Sequence, residues 1–253
     1  MSQPRFIYPN WPAPKNVRAF TSYRSGGFSL PPFDSLNIAQ HVGDNPKVVN
    51  KNRQQLPNFE NFVWLNQTHS NVCINLGRDV DRVDLSADAC FSNQKHLVCA
   101  VMTADCLPIL LCNQQGTYVA AVHAGWRGLA NGVIENTLAA MPTDAQPLLA
   151  WMGPAISQNY FEVGSEVKHA FRDYSLAFKR NNNSNQEKYF VDLYQIAKQK
   201  MLALGITQIY GGEYCTYQQS ELFFSHRRAS HQANMKASAT AATGRVVSAI
   251  YLD

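Results

Sequence analysis

One thiol and two imidazoles carry the chemistry that this sequence can support. Cys106 and His123 stand at the ends of two short apolar runs, Leu107–Cys112 and Thr117–His123, which indicate neighbouring strands. If the four residues between these runs close a hairpin, Cys106 lies directly opposite His123. Cross-strand partners have Cβ atoms about 4.5–5.5 Å apart and point to the same side. We therefore predict that the thiol and the imidazole meet at the open end of the hairpin.

Two chemistries use such a pair, and the residues alone leave both open. The histidine can lower the pKa of the thiol and create a nucleophile, as in cysteine hydrolases. Alternatively, Cys106 and His123 bind a metal with a third ligand, for which His69 is the candidate because it lies in a polar loop between two predicted strands. Two imidazoles and one thiolate leave one tetrahedral position free, which is typical of catalytic zinc.

Charged residues near this constellation extend the hypothesis. Asp105, directly before the cysteine, and Asp88 are candidates for proton transfer. Residues 124–128, Ala-Gly-Trp-Arg-Gly, form a small-residue turn before a predicted helix, where free N–H groups suit an anion. Arg127 in this turn and Arg24 in an Arg-Ser-Gly-Gly loop are candidate anion contacts.

The elements that must position these residues indicate a mixed α+β fold. No internal repeat or linker divides the chain, so we expect residues 1–253 to form a single domain. Beyond the hairpin, the periodicity predicts strands over Phe62–Leu65, Val72–Leu76, Leu97–Met102, Leu148–Met152, Ile206–Tyr210 and Val246–Tyr251, and helices over 44–56, 129–140, 162–174 and 192–204.

Composition excludes several classes of protein. The 253 residues are 45% hydrophobic and 16% charged, which excludes a disordered chain, and a net charge of +4 is too small to indicate a nucleic-acid partner. The N-terminus has no secretory h-region, and the longest apolar runs are far below the roughly 20 residues of a membrane span. Six cysteines without CxxC spacing indicate reduced thiols. We therefore expect a cytoplasmic protein, monomeric or homodimeric, without a membrane partner.

Ordered motifs along almost the whole chain point to one family. They include Thr21–Gly27, Ser35–Asn37, His41–Asp44, Asn52–Arg53, Trp64–His69, Thr103–Pro108, Ala121–Gly128, Gly153–Ile156, Phe223–Arg228 and Gly244–Arg245. With these motifs the chain resembles the laccase-domain family, also called YfiH-type or multicopper-polyphenol-oxidase-like, whose members are treated as purine nucleoside phosphorylases. Within that family it looks like the bacterial peptidoglycan-editing type.

The resemblance implies a fold, a metal and a reaction. The fold would be a layered α/β/β/α domain, and the metal would be zinc held by His69, Cys106 and His123. The reaction would be phosphorolysis of adenosine, inosine, guanosine and methylthioadenosine, with deamination of adenosine in the same pocket. The expected partners are therefore a nucleoside and phosphate. The predicted catalytic residues are Arg53, which matches a family active-site arginine, and Asp105, and the predicted substrate-binding residues are Arg24, Asn37, Gln67 and Arg127.

Two alternatives and two departures stand beside this prediction. A four-copper laccase needs about ten histidines, and the chain has seven. A His₂Cys site can still take copper in vitro, so copper-dependent polyphenol oxidation stays an alternative, as does a Cys106–His123 hydrolase acting on a muropeptide amide. The chain departs from the family pattern at Ser157–Asn159 and in an Ala/Ser-rich segment, residues 229–243, which would alter substrate preference if it lies at the pocket rim.

Overall fold

Short strands and helices alternate along the chain in a computed structural model that describes residues 6–79, 84–235 and 241–253. The strands are β1 (Phe6–Ile7), β2 (Val17–Ser22), β3 (Cys73–Asn75), β4 (Ala89–Ser92), β5 (Cys99–Thr103), β6 (Leu107–Asn113), β7 (Val119–Ala124), β8 (Leu148–Met152), β9 (Glu162–Gly164), β10 (Phe178–Arg180), β11 (Lys188–Val191), β12 (Gln208–Gly211) and β13 (Val246–Leu252). The α-helices are α1 (Pro46–Arg53), α2 (Leu76–Asp79), α3 (Trp126–Ala130), α4 (Val133–Ala140), α5 (Ser165–Ala170), α6 (Leu193–Ala203) and α7 (His226–Met235). Short 3₁₀ helices cover Phe59–Asn61, Thr143–Ala145, Gln158–Tyr160 and Arg172–Ala177.

The strands form three sheets. The largest has the order β12-β8-β6-β7-β4-β3, the second has the order β1-β2-β13-β5, and a small third sheet has the order β10-β11-β9. Within the largest sheet, β12 runs parallel to β8 and β3 runs parallel to β4, while the remaining pairs are antiparallel. The predicted mixed α+β fold is therefore confirmed.

Strand β6 shows why two faces of the largest sheet are buried. Its residues are apolar almost without interruption, and every position is buried. Ile109 and Leu111 face a core that they share with residues of α3, α4 and α6, whereas Leu110 and Cys112 face a core that they share with β5 and β13. Because side chains alternate along a strand, a continuous apolar run supplies both cores at once.

These cores stack the molecule in layers. Helices cover one face of the six-stranded sheet, and the four-stranded sheet covers the other. On the outer face of the four-stranded sheet, Phe20 and Val247 pack against Leu36, Ile38 and Leu56, which flank α1. The order of layers is helices, sheet, sheet and the α1 segment, as the family resemblance implied.

The predicted register of the β6–β7 hairpin is wrong by two residues. His123 pairs with Pro108, and Cys106 lies just before β6 begins. The connection is longer than predicted because the Asn113 side chain accepts hydrogen bonds from the backbone N–H groups of Thr117 and Tyr118, at 2.8 and 3.0 Å. A shift of one residue would turn a side chain to the opposite face, but a shift of two does not. Cys106 therefore stays on the side of His123, diagonal to it.

Several other predicted boundaries differ from the structure. The predicted strand over 62–65 is absent, apart from a single bridge between Phe62 and Val98. The helix over 129–140 is divided into α3 and α4 at Gly132, whose φ of +84° ends the first helix. The span 162–174 is a strand, a short helix and a 3₁₀ turn. The N-cap of α1 is Asn45, one residue after the expected Asp44.

Other predictions are confirmed. Strand β8 has the predicted limits, and α6 begins after the N-cap Asp192 and is followed by Gly205 at a φ of +84°. The six cysteines all lie within the described residues, and none of them is in a disulfide. Within those residues no helix is both long enough and apolar enough to cross a membrane. Part of the Ala/Ser-rich segment extends α7, while residues 236–240 lie outside the described part of the chain.

Candidate metal centre

The three side chains predicted as metal ligands converge in the structure. His69 lies in the loop before β3, Cys106 directly precedes β6, and His123 lies near the end of β7. Their potential ligand atoms are all within 4.8 Å of one another. The Cys106 Sγ atom is 3.8 Å from His69 Nε2, and the two imidazole centroids are 4.9 Å apart. Residues from three distant parts of the chain thus form one group that could hold a metal ion.

The carboxylate of Asp88 fixes the positions of both histidines. It accepts hydrogen bonds from the backbone N–H groups of Thr68, His69 and Ser70, at 3.1, 3.0 and 2.6 Å. These bonds close a tight turn in which His69 has a φ of +60°, a conformation that is uncommon outside glycine. The same carboxylate lies 2.6 Å from His123 Nδ1. Because Nδ1 is occupied, Nε2 of His123 is left for a metal ion.

Asp88 was predicted as a possible proton carrier, but its surroundings indicate a positioning role. It is fully buried, and the hydroxyl of Ser70 adds a further hydrogen bond at 2.8 Å. Burial raises the pKa of Asp88, and the hydrogen bonds from His123 and Ser70 outweigh this effect and lower the pKa to about 2. The carboxylate therefore stays ionised and bound to these donors at neutral pH.

The electrostatics of the pair favour a Cys106 thiolate beside a protonated His123 imidazole. Burial raises the pKa of Cys106, but the charge and hydrogen bonds of His123 and His69 lower it overall to about 6. Burial lowers the pKa of His123, whereas the Cys106 thiolate and the Asp88 carboxylate raise it overall to about 9. By contrast, burial raises the pKa of Cys112 to about 12. Cys106 is thus a thiolate at neutral pH, the form that attacks carbonyls and ligates metals.

The donor set fits zinc. Zinc takes thiolate sulfur at about 2.3 Å and imidazole nitrogen at about 2.0 Å, so two such ligands of one tetrahedral ion lie roughly 3.5 Å apart. The observed separation of 3.8 Å between Cys106 Sγ and His69 Nε2 is close to this value. Three protein ligands leave one position for a water molecule or a substrate, as in catalytic zinc sites. Copper also accepts imidazole and thiolate ligands, so the donor set alone does not select the metal.

Gly125 allows the loop after β7 to approach this group. A Cβ atom at this position would lie 2.9 Å from Cys106 Sγ and 3.2 Å from His69 Cδ2. The backbone of Gly125 has a φ of −67°, which any residue can adopt, so the requirement for glycine is steric. This contact explains the glycine in the Ala-Gly-Trp-Arg-Gly turn.

An apolar cavity opens on one side of the group. Its volume is about 210 Å³, and its apolar wall is formed by Trp126, Ile156, Phe161 and Leu193. The remaining lining residues are His69, Ala104, Asp105, Cys106, Arg127, His226 and Arg227. An apolar wall with ionisable groups at one end is typical of a site for a flat, partly polar organic ligand.

A basic cavity also borders this group. Its volume is about 310 Å³, and none of its lining residues is an aspartate or a glutamate. The lining residues are His41, Gln67, His69, Met102, Thr103, Ala104, Cys106, His123, Arg127, His226 and Arg245. The two cavities share the candidate ligands His69 and Cys106, so the candidate metal centre lies where they meet.

Asp105 lies in the apolar cavity, but both of its carboxylate oxygens are occupied. One accepts a hydrogen bond from the Thr216 hydroxyl at 2.6 Å, and the other from the backbone N–H of Arg227 at 2.7 Å, at the start of α7. The backbone of Asp105 has a φ of +99°, and its carbonyl accepts a hydrogen bond from Ile156 N at 3.0 Å. These contacts hold the strained turn that presents Cys106.

Arg127 and Gln67 both line the basic cavity, in different ways. The Arg127 guanidinium is exposed, 4.4 Å above the Trp126 ring, and lines both cavities. The side-chain amide of Gln67 bonds both backbone groups of Met102, at 2.7 and 2.9 Å. Gln67 therefore anchors the His69 loop on β5.

The other three predicted residues lie outside both cavities. Arg24 donates hydrogen bonds to the carbonyls of Asp34 and Ser220 and lines a separate cavity. Asn37 is fully buried and accepts a hydrogen bond from the backbone N–H of Arg245, at 3.0 Å. The guanidinium of Arg53 lies 3.8 Å from the Trp64 ring centroid, and its Nε atom donates to the Ile38 carbonyl at 2.9 Å. Burial lowers the pKa of Arg53 to about 10.

Four ionisable cavity residues were missing from the predicted site. These residues are His41, His226, Arg227 and Arg245. The sequence contained a signal for each of them, because all four lie in the motifs that carry the family resemblance. The basic run at residues 226–228 entered the sequence analysis only as part of the motif Phe223–Arg228. Its position beside the candidate ligands depends on the long-range placement of α7 and β13.

The protein combines a mixed α+β fold with a candidate metal centre at the end of a β-hairpin. Two imidazoles and a thiolate form this centre, which borders two cavities. These features define the class of protein. Residues 18–253 match the family model described as multi-copper polyphenol oxidoreductase laccase, and the chain belongs to that family. The resemblance inferred from the motifs is therefore confirmed.

Relatives cover almost the whole chain. The chain is 45% identical over 252 residues to the Escherichia coli protein named purine nucleoside phosphorylase YfiH, covering 98% of this chain and 99% of that protein. It is 43% identical over 257 residues to a Haemophilus influenzae protein named purine nucleoside phosphorylase, with 98% and 99% covered. The crystal structure of Neisseria meningitidis protein NMB0706 is similar with a TM-score of 0.86 and 41% identity, covering 98% of this chain and 99% of that chain.

Proposed function

We propose that this chain is a zinc-dependent purine nucleoside phosphorylase that acts on adenosine, inosine, guanosine and methylthioadenosine. The observation that carries the proposal is the meeting of an apolar and a basic cavity at one His–Cys–His group. A purine nucleoside has a flat aromatic base whose faces stack on apolar side chains, and its phosphorolysis needs an anionic nucleophile close by. The names of the relatives support the same activity.

In this reaction an oxygen of inorganic phosphate forms a bond to C1′ of the ribose while the C1′–N9 bond breaks. The bonding electrons leave with the purine, which takes up a proton, and the products are ribose 1-phosphate and the free base. A zinc ion held by His69, Cys106 and His123 would supply Lewis acidity beside the reacting atoms. The protein itself contributes positioning of the two substrates and electrostatic stabilisation of the transition state.

Different lining residues would contact different parts of the substrate. Trp126 and Phe161 would stack against the purine, since aromatic side chains pair favourably with flat rings. Arg127 borders both cavities and would contact the phosphate from the side of the base. Because both oxygens of Asp105 are hydrogen-bonded, its contacts support a positioning role for this residue. Arg53 would act through Trp64, on which it stacks.

The proposal includes deamination of adenosine in the same pocket. Water would add to C6 of the adenine ring, and ammonia would leave, giving inosine. A three-ligand zinc site activates water for this type of addition. A role in the editing of peptidoglycan precursors in the cytoplasm belongs to the proposal as its cellular setting, and it rests on the family resemblance.

A second candidate is a cysteine hydrolase acting on a muropeptide amide. The lowered pKa of Cys106 and its proximity to His123 favour it, because this pairing is that of an activated thiol nucleophile. Copper-dependent oxidation of phenols is a third reading, which the family name suggests. Among the described residues, only one group of three potential ligands is found, which is too few for a four-copper enzyme.

Chelation separates these candidates. Protein purified without added metal is analysed for zinc and copper, and is then assayed with inosine and phosphate for free hypoxanthine. We expect zinc near one ion per chain, phosphate-dependent release of base, and loss of both after treatment with a strong chelator. Hydrolysis of a muropeptide amide that survives complete chelation and disappears on alkylation of Cys106 would support the hydrolase. A Cys73→Ala variant is the matched control for the alkylation, because burial raises the pKa of that thiol to about 12.

A further inference from the structure

The lining of the basic cavity contains two arginines, and its one anionic group is the Cys106 thiolate. Arg127 and Arg245 line it together with His41 and His226, and no carboxylate does. Two acids lie next to lining residues, Asp105 and Asp88, and both already accept hydrogen bonds at each carboxylate oxygen. Uncompensated charge in a partly enclosed site attracts an anion from solution, because the surrounding protein screens it less than water does.

Arg245 is held with part of its guanidinium free for a ligand. In the described part of the chain, its side-chain hydrogen bonds run from Nη1 to the carbonyls of Thr243 and Gly244, at 2.9 and 3.1 Å. Its backbone N–H is fixed by Asn37 Oδ1, at 3.0 Å. Arginine carries five N–H donors in a planar fork, so Nε and Nη2 can still contact two oxygens of a tetrahedral anion.

Two further observations indicate that this cavity takes a ligand. The Thr103 side chain lines it, and its buried hydroxyl has no hydrogen-bond partner among the described residues. Native proteins rarely leave a buried hydroxyl unpaired, and a bound ion or water usually satisfies it. In addition, burial and the nearby Arg245 lower the pKa of both His41 and His226, as expected where cations crowd together. A bound anion would relieve this repulsion.

From these contacts we propose that the basic cavity is the subsite for inorganic phosphate, with Arg245 as its main contact and His41, His226 and Arg127 around it. The choice of phosphate among oxyanions rests on the proposed phosphorylase function. The sequence placed this role on Arg24, Arg53 and Arg127, but the first two guanidinium groups lie outside the cavity. The subsite would place phosphate next to the candidate metal centre.

Calorimetric titration of the metal-containing protein with inorganic phosphate tests the subsite. We expect Arg245→Gln to weaken phosphate binding by about tenfold or more, the typical effect of losing charge-assisted hydrogen bonds. Arg245→Lys should fall between this variant and the unmodified protein, because it keeps the charge but loses the fork. Arg180→Gln removes the same charge from an exposed strand position and should change the affinity by less than about twofold.

Metal content and thermal unfolding are measured for each variant. If Arg245→Gln does not fold, Arg127→Gln carries the same test, since its side chain is exposed. Unchanged phosphate affinity in a folded, metal-containing Arg245→Gln variant would overturn the subsite. Adenosine 5′-monophosphate is titrated as a separate probe. If Arg245→Gln weakens its binding but not that of free phosphate, the cavity holds the phosphoryl group of a nucleotide, and the assignment to inorganic phosphate is wrong.

The subsite and the proposed function can fail separately. Phosphate binding that depends on Arg245, without release of base from any purine nucleoside, would support the subsite and contradict the phosphorylase. Phosphate-dependent release of base, with a KM for phosphate that Arg245→Gln leaves unchanged, would support the phosphorylase and overturn the subsite.

Discussion

The two cavities beside the candidate metal centre differ in character although they share part of their lining. Arginine and histidine line both, but one also contains the rings of Trp126 and Phe161, aliphatic side chains and Asp105, whereas the other contains no carboxylate. Their shared wall contains His69 and Cys106. Under the proposed function, one cavity would hold the flat base, the other would hold phosphate, and the reacting bond would lie at the wall that they share.

Replacement of Cys106, which lines both cavities, should have the largest effect. We expect Cys106→Ala to lose its metal and to lower turnover by more than about 100-fold, because loss of a ligand exceeds the 10–100-fold effect of disturbing a residue behind one. Zinc content by elemental analysis and release of base measure the two effects. Cys73→Ala is the control and should keep both. Full turnover by a metal-free Cys106→Ala variant would show that the two cavities do not work through this group.

Disturbing the carboxylate behind the ligands should have the next largest effect. Asp88→Asn weakens the hold on His123 Nδ1 and on the His69 turn, so we expect metal affinity to fall by about 10–100-fold. Competition with a chromogenic chelator measures the affinity, and the cobalt-substituted protein reports a changed ligand field. Asp173→Asn, at an exposed site, is the control. Equal metal affinity of Asp88→Asn and the unmodified protein would reduce Asp88 to a structural residue.

The apolar cavity can be altered without touching the basic one. We expect Phe161→Leu to raise the KM for the nucleoside by about 3–10-fold, since an aromatic contact adds roughly 0.5–1.5 kcal/mol, and to leave the KM for phosphate unchanged. Initial rates with each substrate varied in turn measure both constants. Phe59→Leu, on the surface, is the control. A rise in the KM for phosphate alone would reverse the assignment of the two cavities.

The smallest effect is expected at Arg24. Its hydrogen bonds to Asp34 and Ser220 are structural, and it lies in another cavity. Arg24→Gln should therefore lower the free energy of unfolding by about 1 kcal/mol and change neither KM by more than about twofold. Chemical denaturation and initial rates measure these quantities. A clear rise in the KM for phosphate would instead favour the contact that the sequence predicted.

The identity of the candidate metal ligands could be predicted from the sequence more completely than their arrangement in space. Residue types, positions beside predicted strands and the family resemblance together selected Cys106, His123 and His69. The register that was to bring two of them together was wrong, since it depended on the length of a loop closed by Asn113. Cys106 and His123 are nevertheless close together, because a register error of two residues leaves both side chains on the same face. Strands β6 and β8 could also be predicted, because a strand that is buried on both faces needs apolar residues at almost every position.

Contacts between distant segments could not be predicted. Asp88 lies 19 residues from His69 and 35 from His123 along the chain, so no local pattern connects the three. Arg245 reaches the site because β13 pairs with β5, and His226 because α7 begins where Asp105 accepts a hydrogen bond from its backbone. Such placements follow from sheet order and helix docking, which the sequence pattern does not encode locally.

X-ray absorption at the zinc edge, on protein purified without added metal, is the most direct test of a shared metal at His69, Cys106 and His123. We predict about one zinc ion per chain, with one sulfur ligand near 2.3 Å and two imidazole nitrogens near 2.0 Å, and loss of the sulfur shell in Cys106→Ser. Protein that contains no stoichiometric metal, or a metal with no sulfur ligand, would contradict the account.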